Sequence, residues 1–145
     1  MPVPEALAVD QCWRLVRDKV VGRVGFDVGR GPRIHPINYA VVDDTIVVRT
    51  SEDSELALFS ELFSAGALIA FEVDHLNYEL HQGWSVLMSG RVARIDDEEE
   101  LGRLSRGWSP RPWADGDRDH FVRIAPVEIT GRRLGRDESP PLTAL

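Results

Sequence analysis

Arg49, Thr50, Ser51 and Ser54 crowd the point where an extended segment gives way to a helical one. Residues 45–50 are almost all β-branched, which favours a strand. Leu56, Phe59, Leu62 and Phe63 then recur at helical spacing. A strand that delivers an arginine and several hydroxyls to a helix start makes an anion pocket. Hydroxyls, free backbone N–H groups and the positive end of the helix dipole all point one way. The same residues also satisfy a plainer arrangement, a strand end followed by a Ser/Thr helix cap.

Other chemistries find less material. His35, His75, His81 and His120 lack metal-ligand spacing, and Cys12 is the single cysteine, so no metal site is expected. No G-x-S-x-G and no Cys–His arrangement marks a covalent nucleophile. The acidic run 96–100 precedes Leu101 and Leu104, and it reads as a helix N-terminus rather than a cation site. Any catalysis would rest on a bound cofactor, with the protein supplying orientation and a dry pocket.

The elements that position the pocket follow from pattern and punctuation. A first helix is expected over residues 4–19 and a strand over 20–28, where Gly22 and Gly25 suggest the close approach of another element. A turn at 29–32 leads to a strand over 34–42. Pro36 requires that strand to bulge or to lie at an edge. A tight turn at Asp43-Asp44, the 45–50 strand and a helix over 54–64 follow. Further strands are expected over 67–74 and 83–95, with a polar loop over 75–82 between them. Residues 108–119 read as a Pro-, Gly- and Asp-rich loop, and residues 120–125 and 128–134 as strands broken by Pro126. Six or seven strands with three short helices and no βαβ alternation imply a mainly β fold. Mostly antiparallel strands closing into a barrel fit this pattern. Residues 1–134 form one domain, and residues 135–145 read as a flexible tail.

Net charge −7 and a pI near 5.0 argue against nucleic acid as a partner. Of 17 basic residues only Lys19 is a lysine, so a bound phosphate would be held mainly by arginine, hydroxyls and backbone. No apolar run approaches a membrane span, no signal-peptide pattern opens the chain, and the lone cysteine suits a reducing compartment. A cytoplasmic protein with no membrane partner is expected.

Several short motifs occur in a telling order: G-R-V-G-F from Gly22, P-I-N-Y from Pro36, R-T at Arg49 and F-E-V-D from Phe71. G-W-S-V from Gly83, P-W at Pro112 and I-T-G-R-R from Ile129 complete the series. Together they resemble the pyridoxamine 5'-phosphate oxidase-like family of FMN-binding split barrels, over nearly the whole chain. The resemblance implies a homodimeric flavoprotein that binds FMN non-covalently and passes electrons or hydride to a small molecule. It lays the flavin ring along Pro36, Ile37, Asn38 and Tyr39, with Trp84 and Ser85 as a second wall. The phosphate falls to Arg49, Thr50, Ser51 and Ser54. Arg111 and Trp113 lie in the loop that crosses between subunits in such proteins, where they would serve the dimer first and the cofactor second.

One position departs from the family pattern. Relatives generally carry a lysine after the Ser54 position, where it meets the phosphate, and this chain carries Glu55. A carboxylate there repels a phosphate dianion. Three readings follow: an FMN-dependent oxidoreductase-like protein of unassigned substrate, the same barrel holding a deazaflavin, or a cofactor-free binding module. The C-terminal arginine and histidine that grip substrate in the true oxidase have no counterpart here, so pyridoxamine phosphate is not supported as a substrate.

Overall fold

Asp43 and Asp44 both take positive φ, 48° and 57°, the paired left-handed geometry of a type I′ turn. This turn joins β3 (Pro32–Val42) to β4 (Thr45–Thr50) and sets their register from Val42↔Thr45 to Tyr39↔Val48. The structure, a computed structural model, describes residues 4–63, 66–107 and 120–135. Upstream of Tyr39, β3 leaves β4 and pairs with β2 (Val21–Asp27) instead, so Pro36 sits opposite Arg23 on a stretch with one strand neighbour among the described residues. That is the edge position the proline requires.

β2 in turn meets β5 (Leu68–Asn77), β5 meets β6 (Gln82–Arg94), and β6 meets β7 (His120–Leu134). Because β7 also pairs with β4, the six strands close into an antiparallel barrel. A short extra strand, β1 (Glu5–Ala6), joins the far end of β7 at Arg132 and Arg133. Three helices, α1 (Val9–Arg17), α2 (Glu55–Leu62) and α3 (Glu98–Gly107), complete the described residues. The mainly β split barrel expected from sequence is what forms.

Inward side chains alternate along each strand and build one core, with Val24, Tyr39, Phe71, Met88 and Ile124 fully buried. Gly22 shows why a side chain is missing there: a Cβ would lie 2.7 Å from the Phe71 ring and 2.9 Å from the Glu72 carbonyl. Gly25 has ordinary room, 3.6 Å to the Ala70 Cβ, so only one of the two glycines is forced by packing. A second, smaller core of Val47, Ile95 and Phe121 lies against Leu101 and Leu104 of α3.

Three sequence expectations need correction. The first helix is shorter than residues 4–19, because residues 5 and 6 are drawn into β1. The loop expected over 75–82 is half strand: β5 runs to Asn77, whose Oδ1 accepts from Glu79 N and Leu80 N to shape a tight connection. Pro126 does not break the last strand. β7 is continuous, and the register steps from Gly90↔Pro126 to Ser89↔Glu128, a bulge that takes up the missing donor. The acidic run begins α3 as expected, with Asp97 Oδ2 accepting from Glu100 N at 2.9 Å. Among the described residues no group of His, Cys, Asp and Glu could hold a metal, and no helix is long and apolar enough to cross a membrane.

Candidate functional site

Ser54 caps α2, its Oγ accepting from Ala57 N at 3.0 Å. Its own N–H donates to the Ser51 carbonyl at 3.1 Å, closing the turn that carries the chain from β4 into α2. The plain capping role is therefore real. Thr50 is nearly buried and stands opposite His120 of β7. Thr50, Ser51, Ser54 and Glu55 are thereby gathered around one helix start, where the first backbone N–H groups of α2 lack helical partners.

Two basic groups that reach this helix start come from β3. Glu55 Oε2 lies 3.6 Å from Arg33 Nε and 3.8 Å from His35 Nε2. Alternation along β3 explains the pairing, since Arg33, His35 and Ile37 share one face. The His35 ring also packs 5.6 Å from Phe26, which in turn packs on Phe59 of α2. Both His35 Nε2 and Glu55 Oε2 are buried without a hydrogen-bond partner. Sequence reading passed over Arg33 and judged His35 only as a metal ligand. The signal available was the period-2 spacing of two basic residues on the strand beside the candidate pocket.

Arg49 points elsewhere. Its neighbour Thr50 faces His120 beneath α2, so alternation turns Arg49 to the opposite face, where its guanidinium lies 5.3 Å from the Phe121 ring centroid.

The same alternation divides the segment from Pro36 to Tyr39. Pro36 is exposed on the outer face, whereas Tyr39 lies in the core with its hydroxyl donating to the Val16 carbonyl at 2.5 Å. Burial pushes that hydroxyl well above its usual range. Asn38 is mostly buried, with Nδ2 3.4 Å from the Val20 carbonyl, and Ile37 packs at the margin of the core. Trp84 faces inward at the margin of the core, while Ser85 faces outward beside Asp74 and Arg132. No single flat wall of side chains results. What the segment does offer is backbone, because among the described residues β3 has no strand beyond it from Pro32 to Asn38. Arg111 and Trp113 lie outside the described residues, as does the tail from residue 136 on.

On the outer face of the sheet, Arg23 binds Glu72 at 2.9 Å and Asp74 at 3.2 Å. Burial, the hydrogen bond with Asp74 and that carboxylate's charge push Glu72 up to about 7, against the pull of Arg23.

The chain is similar to known proteins along nearly its whole length. A sequence model described as pyridoxamine 5'-phosphate oxidase matches residues 8–133. An uncharacterised protein of Mycobacterium tuberculosis is 32% identical over 133 residues, covering 91% of this chain and 86% of its own. The structure of an FAD-binding protein from Mycobacterium smegmatis superposes with a TM-score of 0.70 at 31% identity, over 89% of this chain and 97% of that one. An FAD-binding protein from Mesorhizobium loti, 18% identical, shares the fold with a TM-score of 0.68 over 94% of this chain and 100% of its own.

Proposed function

This chain belongs to the pyridoxamine 5'-phosphate oxidase family, and we propose that it holds a flavin between the bare edge of β3 and the start of α2. The observation that carries this reading is the convergence of Arg33 and the unpartnered, buried Nε2 of His35 on that helix start. Arg33 offsets the carboxylate of Glu55, and His35 Nε2 can add a hydrogen bond to an anion, which supports a phosphate at this helix start even without the family's lysine. The residues fit the group. Arg33, His35, Thr50, Ser51 and the first N–H groups of α2 would hold the phosphate. The backbone of Pro36, Ile37 and Asn38 would serve the ring's carbonyls and ring nitrogens.

A flavin would supply reversible hydride or electron transfer. The protein's part is to bind it, orient the ring along β3 and keep water off one side. The mycobacterial relative at 31% identity is an FAD-binding protein, and FAD contains the riboflavin phosphate of FMN, so the same cradle suits either. The reaction class is oxidoreductase. The family resemblance supports a homodimer in which a second subunit covers the outer sheet face, where Ile34 and Leu87 are 72% and 48% exposed.

Titration with FMN, FAD and a deazaflavin in turn, followed by absorbance and fluorescence quenching, tests the reading. Micromolar binding of FMN or FAD supports it. Binding of the deazaflavin alone would move the reading to that cofactor. No binding of any of them would leave a cofactor-free module.

A further inference from the structure

We propose that His120 is a positioning residue, one that sets the conformation of the Ser51–Ser54 turn through Glu52 and thereby links flavin affinity to protonation. The proposal rests on the flavin reading above for its effect on affinity, and on this chain's own geometry for the rest.

His120 is fully buried where β7 begins, opposite Thr50. Its Nε2 lies 3.1 Å from Ser60 Oγ in the middle of α2. The Ser60 hydroxyl already donates to the Ala57 carbonyl at 2.8 Å, so toward His120 it can only accept. The neutral ring must then carry its proton on Nε2, which leaves a lone pair on Nδ1. That nitrogen is buried without a hydrogen-bond partner, and Glu52 Oε1 stands 3.9 Å away. Two acceptors face each other across a gap too long for a hydrogen bond.

Protonation reverses this relationship. Nδ1 becomes a donor, and a charge-assisted bond to Glu52 would close to about 2.8 Å, drawing the carboxylate in by roughly an ångström. Glu52 lies inside the turn between Thr50 and Ser54, so this pull acts on the turn. The other charged groups around the ring are Glu61 of α2, Arg94 of β6 and Asp96 beyond it. Arg94 binds Glu52 at 3.1 Å, Glu61 at 3.3 Å and Asp96 at 3.1 Å. Burial first, and Arg94 second, hold the ring's titration below the ordinary histidine range, while Glu52, Glu61 and Asp96 act the other way. Drawing Glu52 toward His120 and adding a positive charge both favour a phosphate at the turn. Flavin affinity therefore rises as pH falls through the His120 transition.

The test follows the imidazole nitrogens of His120 and the backbone amides of Glu52 and Asp53 by NMR between pH 8 and pH 5, without flavin, in wild type and in Glu52→Gln. Expected are an Nε2–H tautomer when neutral, amide shifts that share the His120 midpoint, and loss of those shifts in Glu52→Gln while His120 still titrates. Amides that stay flat while His120 titrates, or an Nδ1–H neutral tautomer, would overturn the proposal. FMN titrations over the same range should show a threefold to tenfold gain in affinity toward acid in wild type beyond that of Glu52→Gln. His35 is present in both proteins, so the difference isolates His120. Identical pH profiles would overturn the coupling. Titrating amides in a protein that binds no flavin at any pH would leave His120 in its positioning role and sink the flavin reading instead.

Discussion

Glu55 Oε2 lies 3.8 Å from His35 Nε2, and both atoms are buried without a hydrogen-bond partner. A buried donor and acceptor that face each other beyond bonding distance are costly unless a further group completes them. On the flavin reading proposed above, an anion on the histidine side would complete the pair, with Glu55 as its rival for Arg33 and His35.

Replacing the rival with a cation should favour the ligand. Glu55→Lys is expected to tighten FMN binding by about tenfold or more, since a unit charge near a phosphate is worth on the order of 1–4 kcal/mol at intermediate dielectric. Thermal stability without ligand should fall slightly, because an acid in the first turn of α2 is lost. Isothermal calorimetry of both proteins, with a melting curve of each, decides it. An unchanged dissociation constant would place the phosphate elsewhere.

Arg33→Ala should weaken FMN binding by roughly tenfold, the scale of one charge-assisted hydrogen bond. Arg30→Ala should do nothing comparable, since Arg30 lies in the turn bounded by Gly29 and Gly31. Arg49→Ala should affect stability more than affinity, because its guanidinium rests over Phe121. Equal affinities for the Arg33 and Arg30 variants in a quenching titration would remove Arg33 from the site.

Gly22→Ala should destabilise the fold by about 1–3 kcal/mol, because its methyl group would press on the Glu72 carbonyl as well as on the Phe71 ring. Gly25→Ala should be near neutral, with 3.6 Å available to Ala70. Chemical denaturation of the pair gives the comparison, and similar losses in both would mean that β5 does not approach β2 this closely.

Glu72 gives a pH dependence of definite sign. Its carboxyl titrates near 7 in the folded protein against an ordinary 4.5. The native state thus holds a proton that the unfolded chain has released. The stabilising contribution is complete below the ordinary glutamate range and is lost as pH rises through about 7. Glu72→Gln, which mimics the protonated form, should match wild type at pH 4.5 and exceed it at pH 8 by on the order of 1–2 kcal/mol after allowance for solvent. Melting curves whose difference did not vary with pH would contradict this.

The barrel was legible because its signals are local. Asp43-Asp44, the β-branched run before Thr50 and the cap at Ser54 each state their structure within a few residues. Pro126 misled because a proline reads as a break, whereas a neighbouring strand can absorb it in a bulge. Residues 5 and 6 escaped notice because two residues of strand carry no periodicity, and only their distant partner β7 makes them one. The candidate site was legible where it is contiguous, at Thr50 to Glu55. Its basic side, Arg33 and His35, arrives from another strand. The His120–Ser60 contact joins residues sixty positions apart, and no spacing rule could pair them.

β7 has a consequence for the order in which the chain can fold. Among the described strands it has three partners, β1, β4 and β6, and each of them is made earlier in synthesis. On a ribosome, β2 through β6 can emerge and pair as a curled, open sheet, but both of its outer margins stay bare until residues 120–134 clear the exit tunnel. Closure then occurs late and over long sequence separation, which makes it slow. During that interval the nascent sheet exposes two unsatisfied edges, the state in which strand proteins pair with the wrong neighbour. Vectorial synthesis thus assigns the risk of aggregation to the waiting time for a single strand.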